Sequence, residues 1–284
     1  MFFGVLFFLV FLRFFIASSD ISGDLSYYVG EVGKQTTRFG LDKKDLFFFL
    51  EPFSGISIRI AVLSLVMSLL FLHAAFSVHQ TDKKYAKLTF WFFVLFSLFY
   101  AQLDMHLVRM HIALYLFFLF IFGLSGINKL LIFPVALYHE AFVVVTLIFA
   151  VANIIYALAG RKFCQFLSPI LLCLIFFLLA SETKLILISA PAVFCLIFFA
   201  CFKLSKEYTS VYLFQILLVL LPLLFYLLDL IPAVNLSRFI GLQVSLSLFL
   251  IVFLPLYRTG MSRVGAPAVF LFQLAYIAKY AANV

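Results

Sequence analysis

Apolar blocks of membrane-spanning length alternate along this chain with short polar turns. The blocks cover 2–17, 56–78, 88–103, 110–126, 141–159, 163–181, 185–202, 209–228, 239–257 and 264–282. Each predicts a helix that crosses a bilayer, and those shorter than roughly 20 residues are accommodated by tilt, local thinning or burial in protein. The one long polar stretch, Ser18 to Asp45, is followed by the apolar run Phe47–Leu50 and by Glu51-Pro52. The pattern predicts an all-α, polytopic helical bundle forming a single transmembrane domain over 1–284, with an external loop and interfacial segment at 18–55. The first block has the length of a signal peptide. However, Arg13 interrupts it, no basic region precedes it and no small-residue cleavage site follows, so it is expected to stay as the first span.

Orientation follows from where basic residues collect. Lys83, Lys84 and Lys87 lie in one turn and Lys129 in the next, followed by Arg161-Lys162, Lys203/Lys206 and Arg258/Arg263. If all these turns are cytoplasmic, that face opposes them with Asp82 and Glu207 alone. A single crossing between Lys129 and Arg161 would invert every later turn, so this interval must pass twice or form a re-entrant hairpin. Pro134 and then His139-Glu140 occupy the expected reversal point. Backbone of that kind survives at depth only when buried in protein or lining a wet cavity. The expectation is therefore about ten spans, including a broken or re-entrant segment near His139.

Composition excludes the other broad classes. Apolar residues make up 66% of the 284, charged residues 11%, and Phe alone numbers 41. A soluble globule needs more charged surface, and a disordered chain far fewer apolar residues. The net charge of +8 reports sidedness in the bilayer, and no nucleic-acid partner is expected. Cys164, Cys173, Cys195 and Cys201 lie in or beside apolar blocks without CxxC spacing, and are expected to be small hydrophobes. No nucleophile elbow, phosphate-binding glycine loop, HExxH or dinucleotide fingerprint occurs, so neither a metal nor a soluble cofactor is expected.

The candidate chemistry lies in ionisable residues within or beside the apolar blocks, where a charge costs roughly 2.5–3.5 kcal/mol at mid-helix. Arg13, Arg59, Arg109, His139, Glu140 and Asp229 all fall toward the outer leaflet in this topology, which predicts an anion-binding cavity there. Plainer alternatives stand beside each. Arg13 and Arg59 can snorkel to the interface, and Asp229 and Arg238 can flank a surface turn. The Asp104-x-His106-x-x-Arg109-x-His111 group can be a solvated rim, and His139 a satisfied interior histidine. The external stretch carries Asp20, Asp24, Glu31, Lys34, Arg38, Asp42, Lys43, Lys44 and Asp45, as a solvated loop does. Tyr27 and Tyr28 beside Asp24 favour contact with a sugar ring there.

Taken in order, several elements resemble the EpsG/Wzy-like polysaccharide polymerases of bacterial inner membranes. They are Gly23-Asp24-Leu25-Ser26-Tyr27-Tyr28 after the first span and Glu51 in Phe49-Leu50-Glu51-Pro52-Phe53. Next come Leu107-Val108-Arg109-Met110-His111-Ile112-Ala113-Leu114, the basic turn Asn128-Lys129, and Ala136-Leu137-Tyr138-His139-Glu140-Ala141-Phe142. The resemblance covers about the first 160 residues. It implies transfer of a growing glycan from undecaprenyl pyrophosphate to the sugar of another lipid-linked repeat unit, as O-antigen, capsule or exopolysaccharide. The implied enzyme is a metal-independent membrane glycosyltransferase. Arg109, with Arg13, Arg59 or Arg238, would grip the pyrophosphate. His139, Asp24 or Glu140 would act as the base, with Tyr28 and His106 assisting substrate binding. Implied partners are the lipid-linked donor and acceptor, membrane lipids, a chain-length regulator and a flippase.

Other classes fit the same composition. An O-antigen ligase would use similar chemistry on a different acceptor. A transporter or flippase for the lipid-linked oligosaccharide would favour paired halves with broken helices. A non-catalytic subunit of a membrane complex would suit the Phe content, although an AT-rich genome should also raise Asn, which occurs only at Asn128, Asn153, Asn235 and Asn283.

Overall fold

The computed structural model describes residues 2–19, 25, 29, 47–78, 101, 105, 107–123, 139, 141–181, 183–201 and 209–253. Among them every regular element is helical. The helices are α1 (Phe2–Ser19), α2 (Ile56–Val78), α3 (Val108–Gly123), α4 (Ala141–Ala180), α5 (Thr183–Cys201), α6 (Thr209–Leu227) and α7 (Ala233–Phe253), with a short 3-10 turn at Phe48–Leu50. The bounds of α2, α5 and α6 fall close to the predicted apolar blocks, α7 starts six residues ahead of the block at 239–257, and the blocks at 88–103, Ala101 apart, and 264–282 lie outside the described residues. Three of them, α2 over Ile56–Ala75, α4 and α6, are long and apolar enough to cross a membrane.

The chain divides into two compact units, Met1–Val143 and Val144–Val284. In the first, α2 packs against both α1 and α3. The faces of α1 are reversed relative to a soluble helix. Phe3, Phe7, Phe11 and Phe15, spaced by four, point outward, whereas Leu9, Arg13 and Ala17, also spaced by four, are buried. A bilayer accounts for this, because lipid accepts phenyl rings at little cost while an ionisable group must find partners inside the protein. Leu25 and Val29 are buried as well, so part of the long polar stretch belongs to this core. Phe117 of α3 meets Phe142, in the first turn of α4, edge to face at 5.8 Å.

In the second unit α5, α6 and α7 pack on one another. The central helix is α6, in which every residue from Val211 to Leu220 is buried. Its Phe214 receives Phe149 of α4 at 5.4 Å, edge to face. A buried polar cluster joins α6 to α7. Ser247 Oγ donates to Gln215 Oε1 at 2.6 Å, and Gln243 Nε2 donates to Ser247 Oγ at 2.7 Å and to Gln215 Oε1 at 3.2 Å. Such bonds hold helices together where the hydrophobic effect between them is absent. Pro169, Pro191 and Pro222 lie inside α4, α5 and α6. Lacking N–H groups, they leave the Gln165, Leu187 and Leu218 carbonyls without their usual helical donors.

Two breaks separate these helices. Within α4, Gly160 takes φ 76° and ψ 170°, which divides its 40 residues into two limbs. Those limbs coincide with the blocks predicted at 141–159 and 163–181. Between α6 and α7 the chain reverses at Asp229, held at φ 56°. Leu230 N–H donates to Phe225 O at 2.8 Å and Asp229 N–H to Tyr226 O at 3.0 Å, a helix C-cap of the Schellman type. Glycine is the usual occupant because a Cβ strains this conformation. Asp229→Gly is accordingly expected to stabilise the protein by about 1 kcal/mol, read as a raised midpoint in detergent unfolding.

Candidate functional site

Three helices of the first unit carry a buried polar and aromatic seam. Arg13 is fully buried in the middle of α1. Its NH1 donates to Ser68 Oγ of α2 at 3.3 Å and lies 3.5 Å from Leu9 O, and its guanidinium sits 5.2 Å from the Phe71 ring centre. Ser68 in turn donates to Ser64 O at 2.7 Å, and the Ser64 hydroxyl is buried with no hydrogen-bond partner. Phe71 also meets Tyr115 of α3, edge to face at 5.6 Å, and Tyr115 meets the buried His111 ring at 5.9 Å. The seam thus runs from Arg13 through Phe71 and Tyr115 to His111, two residues from Arg109. For Arg13 the snorkelling alternative does not hold, since its head group is enclosed between helices.

Arg109 opens α3. It is part-buried, and its Nε is shielded from solvent with no hydrogen-bond partner. The solvated-rim alternative therefore fails for His111, which is fully buried, whereas Arg109 is part-buried and His106 lies outside the described residues. A guanidinium N–H kept from water and left unpaired costs about 1–3 kcal/mol, more when charged, so this side chain is poised to receive an anionic oxygen. Arg59 has a different employment. Its Nε donates to Phe53 O at 2.6 Å and its NH1 to Val29 O at 3.4 Å, so it ties the external stretch to the first turns of α2. Arg238, exposed on α7, belongs to the second unit, as does the exposed Asp229. Asp229 lies in the turn between α6 and α7, whereas Arg238 lies inside α7, because that helix begins at Ala233, within the turn expected at Leu230–Ser237.

His139 is the N-cap of α4. Its Nδ1 accepts from Ala141 N–H at 3.2 Å, and its carbonyl accepts from Phe142 N–H at 2.9 Å. With Nδ1 acting as acceptor, the neutral ring carries its proton on Nε2, so a base role would require the cap to open. His139→Ala is expected to destabilise by about 1 kcal/mol, whereas His139→Asn, which keeps an acceptor at the cap, restores the unfolding midpoint. Retained function in a stable H139N variant is the expected result; loss of function there would assign the base to His139. Asp24, Tyr28 and Glu140 lie outside the described residues.

The structure therefore brings Arg13 into a seam with Phe71, Tyr115 and His111, and sets Arg59 to a structural task. Sequence reading missed the Ser64/Ser68 pair and the Gln215, Gln243, Ser247 cluster. Their four-residue spacings (Ser64 with Ser68, Gln243 with Ser247) inside apolar blocks were the available signal. No protein-family model, curated protein or solved structure matches the chain.

Proposed function

We propose that this protein joins undecaprenyl-pyrophosphate-linked repeat units into polysaccharide at the outer leaflet of a bacterial inner membrane, through a bundle of about ten spans. The observation that carries the reading is the buried, unengaged Nε of Arg109. In the transfer, the bond between the donor's anomeric carbon and the pyrophosphate oxygen breaks, and an acceptor hydroxyl oxygen bonds to that carbon. A base takes the hydroxyl proton while the pyrophosphate departs with its negative charge. Departure needs cations more than a proton donor, and a guanidinium fork meets phosphate oxygens bidentately. His139 can act as base only by opening the cap of α4, which leaves Asp24 and Glu140 as the other candidates. Holding two lipid-tethered substrates together contributes much of the remaining rate.

A transporter of the same lipid-linked oligosaccharide is the second reading, favoured by the two compact units of near-equal length. Deletion of the gene separates the two. Polymerase loss leaves single lipid-linked repeat units at the outer face, and transporter loss leaves them at the cytoplasmic face. Unchanged polysaccharide in the deletion strain would reject both.

A further inference from the structure

The break in α4 places a cation pair at a defined depth. Each limb is about 20 residues, roughly 30 Å of helix, which matches one hydrocarbon thickness. If each limb makes one crossing, Arg161 and Lys162, immediately after Gly160, stand at the level of lipid phosphates. Arg161 is part-buried and its Nε is shielded from water with no hydrogen-bond partner, while Lys162 is exposed. The 40 residues of α4 contain no Asp or Glu to neutralise them. At Gly160 itself no side chain packs against the break, since an added Cβ would meet nothing within 4 Å beyond its chain neighbours and its own helix backbone. Around the pair, Leu158, Phe163 and Phe166 are 84%, 48% and 68% exposed, and they offer apolar surface on both sides of the break.

We propose that Arg161 and Lys162 bind the phosphate of an anionic membrane phospholipid, with its acyl chains on Leu158, Phe163 and Phe166. Arg161 holds two phosphate oxygens through its planar fork, and Lys162 adds a point charge from the aqueous side. The apolar flanks select a lipid-borne phosphate over a free one. Gly160 serves the site by taking a backbone conformation that L side chains rarely adopt. The proposal rests on the two crossings of α4 and is independent of the glycan chemistry. A chain that makes no polysaccharide but retains anionic lipid leaves it intact.

The test is native mass spectrometry of the full-length protein from nanodiscs of mixed phosphatidylcholine and phosphatidylglycerol. Wild type should retain phosphatidylglycerol over phosphatidylcholine by about tenfold, and R161Q/K162Q should bring the ratio close to one. K184Q, at an exposed lysine beginning α5, should retain the wild-type ratio. Equal retention by wild type and R161Q/K162Q overturns the proposal, as does a wild type without preference. Displacement by inorganic phosphate as effectively as by added phosphatidylglycerol overturns the lipid assignment. Should the double variant fail to accumulate, R161K decides: it keeps the charge but lacks the fork, so a lower ratio supports the site and an unchanged ratio overturns it.

Discussion

Arg109→Ala is expected to lower glycan chain extension by about 100- to 1,000-fold, the usual loss when one preorganised donor to a developing anion is removed. The protein should still reach the membrane in folded form, because Arg109 is part-buried and its Nε holds no bond whose loss would unsettle α3. Arg109→Lys should fall between wild type and Ala, since an ammonium supplies charge without the bidentate fork. Product length on a polyacrylamide gel, with unfolding midpoints measured in parallel, reads both effects. Normal chain length in a stably folded R109A variant would remove the polymerase reading. By contrast, a loss of extension in Arg59→Ala should track a lost fold, because that side chain fastens Phe53 and Val29 to α2.

Phe71→Ala should be the most damaging single change to the first unit, costing about 3 kcal/mol. The ring is fully buried and has two neighbours of different character, the Arg13 guanidinium and the Tyr115 ring. Its removal leaves a void, takes away an electrostatic partner of a buried cation, and disconnects α1 from α3 across α2. Phe71→Leu should recover most of the volume but not the attraction to Arg13, and so should lie between the two. Detergent or urea unfolding followed by circular dichroism gives the order. An F71L midpoint equal to wild type would show that the ring contributes volume alone.

The positions of the helices were legible in the sequence, and the environments of their polar residues much less so. Apolar length marks a helix in this chain, and α2, α5 and α6 begin and end close to where the blocks do. Gly160-Arg161-Lys162 also marked the division of α4. Facing was harder. In water an apolar stripe shows which side of a helix is inside, but in α1 both sides are apolar, and only Arg13 distinguishes them. Arg59 and Arg109 look alike along the chain, each near the start of an apolar block. They differ because Arg59 has loop carbonyls within reach and Arg109 Nε has none, a distinction created by segments distant in sequence. His139 reads as a catalytic base or as a cap with equal ease, and the N–H of Ala141 is what separates the two in space.

The turn at Asp229 has a bearing on biogenesis. Only Leu228 to Pro232 separate α6 from α7, and the amides of Gln215 and Gln243 bond to each other across the pair. If both segments enter a bilayer, they can do so already joined, with the Gln215–Gln243 bond meeting part of the hydrogen-bonding need of their carboxamides. The hairpin then offers a surface onto which α5 can close.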